Sequence, residues 1–309
     1  MEKVLEIKHL SKNFKRQSAL KDISLTIQQG EIYGLIGRNG AGKTTLLKTI
    51  TRLIAPTNGQ IALFGSTTQS EWTRALSRTG AVIETPAAYD NLSAQQNLMY
   101  YCKLHGIVNS EAVIKETLEF VDLTNTGRKK FKQFSLGMKQ KLGIAIALLT
   151  RPDFLILDEP INGLDPIAIA DFRNFILKLN KERNMTLIIS SHILSELYQV
   201  ATRFGFIHEG ALVKELSKED FDSLSEEYIV VKSSQIALVS QLLKEKLAFP
   251  FKVVSEEQIN IFGQAHQISE INASLVVANI PIDEIHYQKQ DLENYFIELV
   301  SPEKGETHD

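Results

Sequence analysis

The sequence predicts an α/β protein in which a parallel core sheet is layered with helices and followed by a small α+β module. Three observations carry this. A glycine-rich stretch, GRNGAGKTT, stands between an apolar run and a helical pattern. Short apolar runs, FLILD, TLIIS and FGFIH, alternate with helical stretches, as strands buried on both faces do. The character of the chain then changes near residue 222.

The elements follow in order. Residues 4–28 read as short β segments, VLEIKHL and LKDISLTIQ, and Gly30 punctuates the chain before EIYGLIG, an apolar run of buried-strand type. After the glycine stretch, TLLKTITRLI repeats apolar residues at helical spacing until Pro56 and Asn58-Gly59 stop it. Residues 92–122 and 135–149 are mainly helical patterns. Beyond residue 222 come EYIVVKS, the helix QIALVSQLLKEKL, two strands in FKVVSEEQINIFG, the helix ISEINASLVVANI and the strand IDEIHYQKQ. That is the βαββαβ order of a ferredoxin-like module. A last helical pattern, DLENYFIELV, precedes SPEKGETHD, a polar tail expected to be disordered. The expected domains are therefore 1–222 and 223–300, with the tail over 301–309.

Composition narrows the function. With 43% hydrophobic residues, 23% charged residues and a net charge of -3, the chain lacks the basic balance through which nucleic-acid binders neutralise phosphate, so no nucleic-acid partner is expected. The sole cysteine, Cys102, permits no internal disulfide and no CxxC pair, which fits a reducing cytosol. The longest apolar runs, such as Leu142–Leu149, are far shorter than the ~20 residues a bilayer span needs, and the N-terminus lacks a signal-peptide pattern. Any membrane role is expected to come through a partner.

Gly37-Arg38-Asn39-Gly40-Ala41-Gly42-Lys43-Thr44 satisfies G-x-x-x-x-G-K-[ST]. Glycines let the backbone wrap an anion. Amides of the loop and of the helix starting near Lys43 would cradle the β and γ phosphates, with the Lys43 ammonium neutralising further charge. Thr44 offers a hydroxyl to Mg²⁺, and Thr45 completes the expected ATP-contacting set. Downstream, Phe154–Asp158 is an apolar strand closed by two carboxylates, Asp158 and Glu159. Alone, such a pair is more often a solvated turn or helix cap. Behind a phosphate loop it reads as a Walker B segment, with Asp158 on Mg²⁺ and Glu159 polarising the attacking water.

Between these motifs, Phe134-Ser135-Leu136-Gly137-Met138-Lys139-Gln140 resembles the signature of ABC ATPases, usually written LSGGQ. Asn162-Gly163-Leu164-Asp165 resembles the D-loop, and His192 after TLIISS resembles the switch histidine. The ordered set identifies residues 1 to about 222 as similar to an ABC nucleotide-binding domain, a P-loop NTPase with a parallel core sheet, an antiparallel β subdomain and a helical subdomain. IETPAAYDNLSAQQNL, FSLGMKQKLGIA, LDEPINGLDP and ISSHILSE further resemble the bacitracin-resistance and lantibiotic-immunity ATPases of Gram-positive bacteria.

The resemblance implies roles and partners. Phe14 would stack on adenine, Ser135 and Gly137 would meet the γ-phosphate of a second copy, Asp165 would join the two sites and His192 would contact the γ-phosphate. The active form would be a head-to-tail homodimer on the inner face of the cell membrane, bound to a separate permease that docks near residues 86–106, with Tyr89, Leu92 and Leu98 as candidate contacts. The chain departs from the family at Glu84, which stands for the usual Q-loop glutamine and could ligate Mg²⁺. It departs again at Leu136 and Met138 in the signature and at Ile161 after Glu159-Pro160. The competing reading is a soluble ABC ATPase acting on ribosomes or nucleic acid.

Overall fold

The computed structural model describes residues 2–15, 17–224, 227–247, 249–262, 265–289 and Tyr295. The chain divides into two compact units, Met1–Lys218 and Glu219–Asp309.

The first unit opens with β1 (Lys3–Phe14) and β2 (Gln17–Gln28), which pair antiparallel. The segments read as short join into these two long strands because left-handed residues His9 and Asp22, both at φ 51°, absorb register slips as bulges. β3 (Ile32–Ile36) is buried at every position and leads through the glycine loop into α1 (Lys43–Ile50). The helix stops earlier than its apolar periodicity. The Thr51 hydroxyl donates back to the Leu47 carbonyl at 3.0 Å, and Arg52 turns the chain at φ 57°.

β4 (Asn58–Leu63) then completes a three-stranded antiparallel sheet, ordered β2-β1-β4. After α2 (Gln69–Ser77) and β5 (Thr79–Val82) come three helices, α3 (Ala94–Leu104), α4 (Ser110–Phe120) and α5 (Leu136–Leu148). Ser93 caps α3 by accepting from the Gln96 amide at 3.2 Å, as its sequence position favours.

The rest of the unit alternates strand and helix: β6 (Phe154–Asp158), α6 (Pro166–Arg183), β7 (Thr186–Ser191), α7 (Leu194–Tyr198), β8 (Arg203–His208) and β9 (Ala211–Ser217). These build a six-stranded sheet ordered β5-β6-β7-β3-β8-β9, parallel except for β9. Strands β6 and β7 are buried throughout, which is why each carries an apolar stretch, FLIL and LII. The order matters for function. Neighbours β6, β7 and β3 end at Asp158, Ser191 and Ile36, so the chain leaves the sheet side by side into Glu159, His192 and the glycine loop. Ligands of open parallel sheets bind at such carboxyl ends.

The second unit begins with α8 (Lys218–Leu224), which straddles the boundary. It continues through β10 (Glu227–Lys232), α9 (Ile236–Leu242), β11 (Phe251–Val253), β12 (Gln258–Phe262), α10 (Ile268–Val277) and β13 (Glu284–Lys289). Its antiparallel sheet is ordered β11-β12-β10-β13, the ferredoxin-like arrangement. Ile229, Val231, Ile259 and Ile261 from the sheet pack with Val239, Ile271 and Leu275 from the helices. The helix expected over 291–300 and the tail 301–309 lie outside the described residues, except for Tyr295, whose ring meets Phe221 edge to face at 5.4 Å.

Candidate active site

The glycine loop is held where side chains would not fit. A Cβ on Gly37 would lie 2.5 Å from the Ile207 carbonyl oxygen, and one on Gly42, at φ 110°, 2.8 Å from that of Ala19. The Gly37 N–H donates to the Ser191 carbonyl at 3.2 Å, tying the loop to the end of β7. No side chain caps α1, so the amides of its first turn are left for an anionic ligand.

Lys43, only 5% exposed, lays its ammonium across this loop, donating to the carbonyls of Gly37 at 2.5 Å and Arg38 at 3.2 Å. The same Nζ pairs with Glu159 Oε1 at 3.0 Å, while Glu159 Oε2 lies 2.8 Å from His192 Nδ1. The Glu159 carboxylate thus sits between an ammonium and an imidazole. Its backbone is left-handed at φ 47°, an uncommon state for glutamate and one found at functional turns. Beside it, the Thr44 hydroxyl donates to Asp158 Oδ2 at 2.8 Å, and Ser190 donates to Asp158 Oδ1 at 2.6 Å while accepting from the Glu159 N–H at 2.9 Å.

Phe14, Asn39, Gly40, Gly42, Lys43, Thr44, Thr45 and Glu159 line one cleft of about 520 Å³. Phe14 is 46% exposed on its wall, with the Lys12 ammonium 4.9 Å from the ring centroid, so it does not belong to the core. Gly37, Ala41, Asp158 and His192 surround these residues through the bonds described above and through the Gly210 N–H, which donates to the Ala41 carbonyl at 2.9 Å. Several residues of the cleft carry no motif in the sequence: Gln17, Ser18, Lys21, Glu209 and Gly210. Ser190 is likewise unmarked, although its place opposite Asp158 in the β6–β7 register could have pointed to it.

Four of the residues read from the sequence, Ser135, Gly137, Asp165 and Glu84, stand outside this cleft. Ser135 caps α5, accepting from the Met138 amide at 3.3 Å, and Asp165 caps α6, accepting from the Ala168 amide at 2.9 Å. Leu136 packs over Gly163, and Gly137 abuts Leu164 and Ala168. Ser135, Gly137 and Asp165 therefore form a second surface that does not line the cleft of their own chain. The Glu84 carboxylate is taken by Lys48 at 2.6 Å.

Two further sequence features are settled by burial. Leu98 is fully buried and belongs to the core, not to a docking surface, whereas Tyr89 is 46% exposed and meets Tyr100 edge to face. Ile161 is buried beside Ile169, Phe172 and Ile189, which accounts for an apolar residue at that position.

Thr44 and Asp158 supply the hard oxygen donors that Mg²⁺ prefers. Among the described residues no three His, Cys, Asp or Glu side chains gather as a metal cage. An ion at this pair would accordingly draw much of its shell from phosphate and water, which is how Mg²⁺ is commonly held in nucleotide sites.

Comparison with known proteins agrees with this geometry. The family described as ABC transporter matches residues 20–162. The bacitracin transport ATP-binding protein BcrA of Enterococcus faecalis is 39% identical over 300 residues, covering 97% of this chain and 97% of that protein. The lantibiotic transport ATP-binding protein SrtF of Streptococcus pyogenes is 43% identical over 224 residues, 72% of this chain and 95% of that one. Among solved structures, an ATP-binding subunit of an ABC transporter matches with a TM-score of 0.62 at 29% identity, over 71% of this chain and 92% of that chain.

Proposed function

The chain belongs to the ABC transporter ATP-binding proteins and is an ATPase, and from that premise we propose that it powers an exporter of peptide antibiotics of the bacitracin or lantibiotic type. The observation that carries the reading is the extent of the likeness to the bacitracin transport protein, which spans 97% of both chains and so includes the second unit.

In this reading the loop from Gly37 to Gly42 and the first turn of α1 cradle the ATP phosphates, with Asn39, Gly40, Ala41 and Thr45 contributing contacts. Lys43 gives up its carbonyl partners to the β and γ phosphates, a charge-assisted exchange that favours nucleotide. Phe14 stacks on adenine. Thr44 and Asp158 would hold Mg²⁺, with Glu84 proposed as a further ligand, and the ion would neutralise phosphate charge. Glu159 orients the attacking water and takes its proton, and His192 holds that carboxylate in place while reaching the γ-phosphate.

Ser135 and Gly137 lie outside their own cleft, which supports a head-to-tail pair of copies in which each signature surface closes the other's site. Asp165 stands beside that surface and links the two sites. Among the described residues no helix is long and apolar enough to cross a membrane. In this reading a separate membrane-spanning permease holds the pair at the inner face.

The test is to solubilise membranes of the native host in mild detergent, capture the tagged chain and identify what accompanies it. Recovery with a protein of several membrane spans, together with bacitracin or lantibiotic sensitivity when the gene is deleted, supports the proposal. Recovery only from the soluble fraction, with ribosomes or nucleic acid, overturns it.

A further inference from the structure

We propose that Lys48 is a positioning residue for Glu84, holding its carboxylate one helical turn beyond Thr44, so that a divalent cation at the Thr44–Asp158 pair recruits Glu84 only by displacing Lys48. This rests on the reading of Glu84 as a residue on the metal side of the cleft.

The geometry is specific. Thr44 and Lys48 stand four residues apart on α1 and so share one face of the helix. The Thr44 hydroxyl is committed to Asp158 at 2.8 Å, and one turn along the same face Lys48 Nζ reaches Glu84 Oε1 at 2.6 Å. Glu84 stands at a sharp bend of the chain. It is the central residue of a tight turn closed by the Thr85 N–H on the Ile83 carbonyl at 2.9 Å, with φ at 62°. A three-residue turn with positive central φ is the rare, strained form, and strain of this kind persists where the surroundings impose it.

Charge supplies the reason for the pair. In the reading that turns Glu84 toward the metal, its carboxylate opposes the nucleotide phosphates unless a cation neutralises it. Lys48 neutralises it when no metal is bound. The metal is then in competition with an ammonium, and the half-saturating Mg²⁺ concentration reports how strongly Lys48 holds on.

The experiment follows binding of a fluorescent, non-hydrolysable ATP analogue to the full chain across a Mg²⁺ titration. Lys48→Met should lower the half-saturating Mg²⁺ about two- to fivefold, the range an exposed ion pair allows, and weaken analogue binding in the absence of Mg²⁺. Lys48→Arg, which keeps the charge, should stay near the unaltered protein. Glu84→Gln should raise the half-saturating Mg²⁺, and the Glu84→Gln/Lys48→Met double variant should match Glu84→Gln alone. If Glu84→Gln shifts the Mg²⁺ curve and Lys48→Met does not, or if the two changes add, the role of Lys48 is wrong. If neither change shifts the curve, the assignment of Glu84 to the metal side falls with it.

Discussion

Ser190 on β7 donates its hydroxyl to the buried Asp158 carboxylate on β6 at 2.6 Å, across the parallel register that sets the two residues opposite each other. The same oxygen accepts the Glu159 N–H at 2.9 Å, so one serine fixes both acidic residues at the end of β6. Ser190→Ala therefore removes two partners at once. It should lower stability by roughly 1–3 kcal/mol, the cost of leaving a buried polar group unpaired, and reduce ATP turnover more than nucleotide affinity. Thermal melting and steady-state ATPase assays check this, and an alanine variant with unchanged turnover would show that Asp158 and Glu159 hold their places without it.

Phe14 gives a cleaner binding prediction because it is half-exposed and contributes little to the core. Stacking of a base on an aromatic ring is worth about 1–3 kcal/mol, so Phe14→Ala should weaken ATP binding roughly 5- to 150-fold with no large change in melting temperature. Phe14→Tyr should restore most of the affinity. Equal affinity of the alanine variant for ATP would remove the ring from the site.

Much of this was legible before any coordinates, for a physical reason. GRNGAGKTT follows a strand buried on both faces, and LDEP and SSH begin in the last residues of two more; the apolar stretches of such strands stand out in the sequence. What cannot be read is that β3, β6 and β7, far apart along the chain, end next to one another, because strand order is a tertiary property. Ser190 is hidden for the same reason, its importance lying in a cross-strand neighbour. The early end of α1 escapes periodicity because Thr51 and Arg52 act through a hydroxyl back-bond and a left-handed backbone, and neither changes the apolar pattern. The βαββαβ order of the second unit is visible in the alternation of elements, whereas the pairing β11-β12-β10-β13 is not.

Glu159→Gln keeps the shape of the residue and discards its charge, while Lys43 retains its carbonyl partners Gly37 and Arg38. ATP binding should persist. Hydrolysis should fall by about 10²- to 10⁴-fold, the range a general base supplies, and a dimer should accumulate with MgATP in size-exclusion chromatography. Normal turnover in this variant would assign the base elsewhere.

Cys102 on α3 is fully buried, and burial raises its thiol pKa by penalising the thiolate. A maleimide added to the native protein at neutral pH should therefore leave it unmodified for hours, and labelling should track unfolding by denaturant. Rapid labelling of the native chain would mean that the packing around α3 opens readily.

Ile161 tests how far a family pattern may be imposed on this chain. Serine or threonine is usual at that position, yet here the side chain is 8% exposed beside Ile169, Phe172 and Ile189. Ile161→Thr would exchange a buried apolar group for a hydroxyl in a mainly apolar pocket, lined also by Arg173 and Glu196, at a cost of about 1–3 kcal/mol. A melting temperature several degrees lower is expected, since each kcal/mol moves a domain of this size by roughly 2–4 °C. Turnover per folded molecule should change little, because Ile161 does not line the cleft. A threonine variant that melts at or above the original temperature would mean that the hydroxyl finds a partner and that the apolar pocket is not what retains isoleucine.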